Sequence, residues 1–197
     1  MVDLWVAQAL IVFGTIFSLE LIDRTNMTVL KFASNHSPRA VWVGAALAFS
    51  VTTGVAVLAG HLIVTYLGPY LFDVRVAGGI GIIAYGAYCL LKAYRTEEES
   101  GIPMDERTTL VQTFLVILAL ETGDDTQIFT VLFVAWFSNI LLVFAAALLA
   151  LLLVLSIGVT TGKVLRERVE PRLLERVTSL IIIAVGIGTI LYAVWYP

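Results

Sequence analysis

Six long apolar runs, separated by short polar punctuation, organise this chain. They extend from about Leu4 to Ala33, Ala40 to Tyr66, Val74 to Tyr94, Thr109 to Phe137, Ile140 to Thr161 and Leu173 to Trp195. Runs such as ILLVFAAALLALLLVLSIGV, which starts at Ile140, show no period-two alternation. Barrel strands would need that alternation, whereas runs of about twenty apolar residues span a bilayer as helices. Two of the six runs are broken in the middle. ELIDRTN starts at Glu20 in the first, and ETGDDTQ starts at Glu121 in the fourth. The long polar stretch RTEEESGIPMDER, with Gly101 and Pro103, separates the third run from the fourth and reads as a linker.

The two halves resemble each other. Glu20-x-x-Asp23-x-Thr25-Asn26 matches Glu121-x-x-Asp124-x-Thr126-Gln127 at an offset of 101 residues. Gly60, Pro69 and Gly86 then match Gly162, Pro171 and Gly188 at an offset of 102. A duplicated unit with an odd number of helices must enter the membrane from the opposite side the second time, which is the inverted-repeat plan of many transporters. The expected fold is therefore an all-α polytopic membrane protein. Its six transmembrane helices form two inverted three-helix repeats, with helices one and four broken at the acidic motifs. Repeat one covers residues 1–96, a linker 97–106, and repeat two 107–197.

Composition agrees with this class. The chain is 59% hydrophobic and 14% charged, with a mean hydropathy of +0.96, whereas soluble domains carry roughly a quarter charged residues. A net charge of −3 gives no indication of a nucleic-acid partner; the bilayer is the expected partner, and a homo-oligomer is compatible with the pattern. The single cysteine, Cys89, rules out an internal disulfide. The first apolar run lacks a preceding basic region and a clear cleavage site, so it reads as a first transmembrane helix. Lys31, Arg39, Lys92, Arg95, Arg107, Lys163, Arg166, Arg168, Arg172 and Arg176 all fall on one predicted face, against Arg75 alone on the other. The positive-inside rule then places the linker in the cytoplasm and both termini outside, as in a prokaryotic cytoplasmic membrane.

The broken runs carry the candidate chemistry. Glu121 lies near the middle of its run, and Glu20 is similarly placed in the first. Helical spacing puts Glu20 with Asp23 and Arg24, and Glu121 with Asp124 and Asp125, on shared faces. A charge at a helix centre costs about 2.5–3.5 kcal/mol on insertion scales, so five isolated acids would cost roughly 12–18 kcal/mol. Arg24 is the one fixed positive charge in the two motifs. The remaining charge must come from protons, bound cations or water. Protons and a divalent cation compete for the same oxygens, and this competition is able to couple their movements. Carboxylates, the hydroxyls of Thr25 and Thr126 and the amides of Asn26 and Gln127 are hard ligands. They suit Ca²⁺, Mg²⁺ or Mn²⁺ better than softer metals.

At these residues the chain resembles the calcium:cation antiporter-2 family of the lysine-exporter superfamily. That family, which includes Golgi, thylakoid and bacterial exchangers, carries Glu-x-Gly-Asp-(Lys/Arg)-(Thr/Ser) once in each of two three-helix repeats. The resemblance covers nearly the whole chain. It implies exchange of Mn²⁺ or Ca²⁺ for protons, with Mg²⁺ and Cd²⁺ ranking behind, and no resident cofactor. Its motif positions fall on Glu20, Asp23, Arg24 and Thr25, then on Glu121, Gly123, Asp124 and Thr126. The expected metal ligands are Glu20, Asp23, Thr25, Glu121, Asp124, Asp125 and Thr126, supported by Arg24, Asn26, Gly123 and Gln127. Two positions depart from the family pattern: Ile22 stands where the family has glycine, and Asp125 where it has lysine or arginine.

Blander readings fit the remaining features. Gly54, Gly60, Gly78, Gly79, Gly81, Gly86, Gly186 and Gly188 suit close helix packing. Ser50, Thr52 and Thr53 read as helix-packing hydroxyls. Trp5, Trp42, Trp136 and Trp195 read as interfacial anchors, as do His36 and His61, and Cys89 as an inert thiol. An intramembrane aspartyl protease built on Asp23 and Asp124 would need a Gly-x-Gly-Asp motif, but Glu121 replaces its first glycine; no enzyme is expected. The rival functions are a divalent cation channel without proton coupling and an exporter of a cationic amino acid.

Overall fold

Continuous apolar runs leave the backbone only its own hydrogen bonds in lipid, so helices are the consistent solution. The computed structural model describes residues 2–21, 23, 25, 28, 29, 32, 33, 37–92, 110–137, 139–168 and 171–195, and these are almost entirely helical, without a strand. Among the described residues seven helices are delimited: α1 Val2–Glu20, α2 Pro38–Tyr66, α3 Leu71–Lys92, α4 Leu110–Glu121, α5 Asp125–Phe137, α6 Ile140–Arg168 and α7 Pro171–Trp195. A 3₁₀ turn, Gly68–Tyr70, leads into α3. Pro38 and Pro171 open their helices, at positions where the missing N–H costs nothing. Ile22, Arg24, Asn26, His36 and the linker 97–106 lie outside the described residues.

Among the described residues three helices, Pro38–Tyr66, Gly68–Leu91 and Ile140–Thr160, are long and apolar enough to cross a membrane. Leu4–Glu20, Leu110–Glu121, Asp125–Phe137 and Ser179–Trp195 are apolar but shorter. The fourth apolar run is thus two half-helices, α4 and α5, joined by a turn. The first run ends its helix at Glu20, and Thr25, Thr28, Val29, Phe32 and Ala33 beyond it are again helical.

The halves exchange partners. α2 lies along both α4 and α5, α6 lies against α1, and α3 pairs with α7. Small residues set these approaches. Gly44, Ala48, Thr52, Ala56 and Gly60 recur every fourth residue and form one buried stripe on α2. A Cβ on Gly44 would stand 2.6 Å from the Leu110 carbonyl oxygen, and one on Gly60 would stand 2.8 Å from that of Val131. One continuous helix therefore braces both halves of the broken one. On the α3–α7 side, a Cβ on Gly79 would stand 3.1 Å from the Gly186 carbonyl oxygen and one on Gly186 3.0 Å from that of Gly79, and Gly86 meets Ile182 and Ile183. Gly81 and Gly188 have open space where a Cβ would project, so the packing role expected for them is absent.

Trp136 also departs from expectation. It is buried in the core rather than placed at an interface, edge-on to Phe133 at 5.2 Å. Trp5 and Trp195 are exposed, and the Trp42 indole donates to Ser156 Oγ at 3.0 Å, joining α2 to α6. Arg75 on α3 donates from Nε and Nη2 to the Ala135 carbonyl, each at 3.4 Å. A cation there complements the carbonyl end of α5. Its guanidinium also sits 5.6 Å above the Tyr192 ring, so it ties together α3, α5 and α7.

Candidate functional site

The break between α4 and α5 follows from local chemistry. α4 ends at Glu121, and Gly123 takes a φ of +83°, a left-handed conformation that favours glycine. Asp124 then caps α5: its carbonyl accepts from Gln127 N at 3.1 Å and Ile128 N at 3.3 Å. Its Oδ2 accepts the Thr126 amide at 3.4 Å. Gln127 spans the break, with Nε2 donating to the Glu121 carbonyl and Oε1 accepting from Gly123 N. The first half repeats the theme: Asp23 Oδ2 accepts the Thr25 amide at 2.7 Å. The Asp-x-Thr spacing common to the two motifs is therefore a helix-capping spacing as well as a source of ligands.

This corrects one expectation. The acids of a motif do not share a helical face, because the helix stops between them. The turn instead folds each aspartate back beside the glutamate that ends the preceding helix. α1 and α4 thus bring their C-terminal glutamates, and the turns bring their aspartates, to one place. Carboxylate oxygens of Glu20, Asp23, Glu121 and Asp124 all lie within 4.8 Å of one another. Glu20 and Glu121 are fully buried, at 1% and 0% exposure, although nearly all such residues in proteins are solvated. Both Glu20 oxygens and Glu121 Oε1 lack a hydrogen-bond partner among the described residues.

The two threonines line the same centre. Thr126 Oγ1 lies 3.5 Å from Glu121 Oε2 and 3.4 Å from Asp124 Oδ2, and is buried. Thr25 is likewise buried, and its side chain lies close to Glu121, across the boundary between the two halves. Asp125 is not one of the four clustered acids. Its Oδ2 accepts the Tyr85 hydroxyl at 2.6 Å, toward α3. Tyr85 carries no signal in the sequence, because only the fold brings it to Asp125. Arg24 and Asn26 lie outside the described residues.

A buried oxygen-lined centre whose carboxylate oxygens lack partners among the described residues is what a hard cation or protons would neutralise. Comparison with known families agrees with that chemistry. The family model described as divalent cation/proton antiporter GDT1 matches residues 8–97 and 109–195. The chain belongs to this family. Membership confirms the resemblance drawn from the two motifs, and implies an integral membrane transporter of the antiporter type with cation and proton substrates. The family is one of transporters rather than enzymes. Comparison with curated proteins and with solved structures found no match.

Proposed function

We propose that this protein exchanges Mn²⁺ or Ca²⁺ for protons at a single centre formed by Glu20, Asp23, Glu121 and Asp124. The hydroxyls of Thr25 and Thr126 serve as further oxygen donors. The observation that carries the reading is the convergence of four carboxylates from both halves within 4.8 Å. Their mutual repulsion makes the empty, fully charged centre unfavourable. A divalent ion or protons relieve it, and each excludes the other. Either neutralised form is able to pass through the conformational change, whereas the empty charged form is not. This restriction gives coupled exchange instead of leakage.

The exchanged partnership of α2 with α4 and α5, and of α6 with α1, supports a pair of inverted three-helix repeats. So do the two matched stretches on either side of the linker. On this reading residues 1–96 and 107–197 are the repeats, and the segment 97–106 joins them in the cytoplasm. Asp125 stands beside the centre, held by Tyr85, and shapes the local charge.

Reconstituted vesicles test the proposal. With a pH gradient imposed and no metal gradient, Mn²⁺ or Ca²⁺ moves uphill while a pH dye reports counterflow of protons. Metal flux that ignores the pH gradient identifies a channel. Inhibition by lysine or arginine identifies export of a cationic amino acid.

A further inference from the structure

α3 and α7 pack closely on each other and meet the remaining helices along light seams. The seam between α3 and α5 is held at defined points. At one end the Arg75 guanidinium donates to the Ala135 carbonyl, in the last turn of α5. At the other the Tyr85 hydroxyl donates to Asp125 Oδ2 at 2.6 Å, at the first residue of α5. Between them, the missing side chain of Gly78 makes room for Leu132. The two helices run antiparallel in constant register, because ten residues separate the end contacts on each. That spacing is about 15 Å of rise, so the half-helix is gripped over most of its length.

The grip at Asp125 bears on the ion centre. Asp124, immediately before it, supplies one of the four clustered carboxylates. Thr126, immediately after it, turns its hydroxyl toward Glu121 and Asp124. Successive helical residues project about 100° apart, and Asp125 points instead to α3. Its bond to Tyr85 has the length of a charge-assisted hydrogen bond. Tyr85 lies well inside α3, where surrounding lipid offers no replacement donor. Asp125, which departs from the family pattern, is thus the point at which α3 holds the first turn of α5.

We propose that Tyr85 is a positioning residue for cation binding. Through Asp125 it fixes the first turn of α5, and with it Asp124 and Thr126, against the α3–α7 pair. The inference rests on the four-carboxylate centre proposed above. A turn already held in place loses less freedom when the ion binds, and affinity rises accordingly.

The test is equilibrium Mn²⁺ binding to the purified full chain in nanodiscs, beside thermal unfolding without metal. Tyr85→Phe keeps the ring and removes the hydroxyl, and its Kd for Mn²⁺ rises about tenfold. Tyr88→Phe makes the same deletion at an exposed position on the same helix and binds as wild type does. In an Asp125→Ala background, adding Tyr85→Phe changes the Kd by less than about twofold, because the hydroxyl has already lost its acceptor. Wild-type or tighter binding in Tyr85→Phe overturns the proposal, as does an undiminished effect in the Asp125→Ala background. A bond that only stabilises the fold would lower the Tm of Tyr85→Phe and leave its affinity unchanged. Glu20→Gln separates this inference from the centre on which it rests. Lost binding there with full binding in Tyr85→Phe removes the positioning role alone, whereas full binding in Glu20→Gln removes both. If Asp125→Ala fails to fold, Tyr85→Phe against Tyr88→Phe decides the question.

Discussion

Asp124 performs two tasks that substitution is able to separate. It caps α5 through the Thr126 amide, and it contributes one of the four clustered carboxylates. Asparagine retains the cap and removes the charge, whereas alanine removes both. Losing a cap costs about 0.5–2 kcal/mol. The bond here is long, at 3.4 Å, so the lower half of that range applies. At Asp23 the corresponding bond is 2.7 Å, and the upper half applies. Charge acts in the other direction. Two full charges 4.8 Å apart repel by about 3.5 kcal/mol at an effective dielectric of about 20. Without divalent ions, Asp124→Asn is therefore at least as stable as wild type, and Asp124→Ala lies below Asp124→Asn by about 1 kcal/mol. In a protein of this size that gap is a shift of about 2–4 °C in Tm. Thermal unfolding of the purified protein, with and without Mn²⁺, reads both effects. A saturating ion at about a hundred times its Kd adds about 2.7 kcal/mol to wild type, and both variants lose most of that gain. Equal stability of the asparagine and alanine variants would refute the capping role. A full Mn²⁺ increment in Asp124→Asn would refute the ligand role.

Other substitutions probe the frame around the centre. Gly123→Ala places an L side chain at a φ of +83° without a steric clash and lowers stability by about 1–2 kcal/mol, measured by thermal unfolding. Gly60→Ala drives a Cβ onto the Val131 backbone and costs about 1–3 kcal/mol. Gly188→Ala, facing open space in a helix, instead raises stability by up to about 1 kcal/mol, so the two Tm shifts have opposite signs. Gln127→Ala removes the brace across the α4–α5 break and costs about 1 kcal/mol. It also speeds amide hydrogen exchange at the start of α5.

The membrane class, the helices and the acidic centre were legible because each leaves a local mark. An acid in the middle of an apolar run is conspicuous, so Glu20 and Glu121 stand out from hydropathy alone. The route by which they meet is not local. Helical spacing suggested one shared face, yet the aspartates reach the glutamates through a capped turn. The cap at Asp124 uses the same Asp-x-Thr spacing that places the candidate ligand oxygens. Tyr85, forty residues from Asp125 in sequence, is placed there only by the packing of α3. Trp136 lies in the core although its place near the end of a run suggests an interface, because position within a run does not distinguish a lipid-facing residue from a core one. Among the glycines, Gly60 and Gly79 face a neighbouring backbone whereas Gly81 and Gly188 do not, and the sequence motif around each carries no sign of that difference.

The central claim is that both halves of the chain hold one shared ion. Equilibrium binding of Mn²⁺ to wild type, Glu20→Gln and Glu121→Gln tests it most directly. The account predicts one ion per chain in wild type, and a loss of affinity of about tenfold or more in each variant alone. Two ions per wild-type chain, with one surviving at full affinity in each variant, would contradict it.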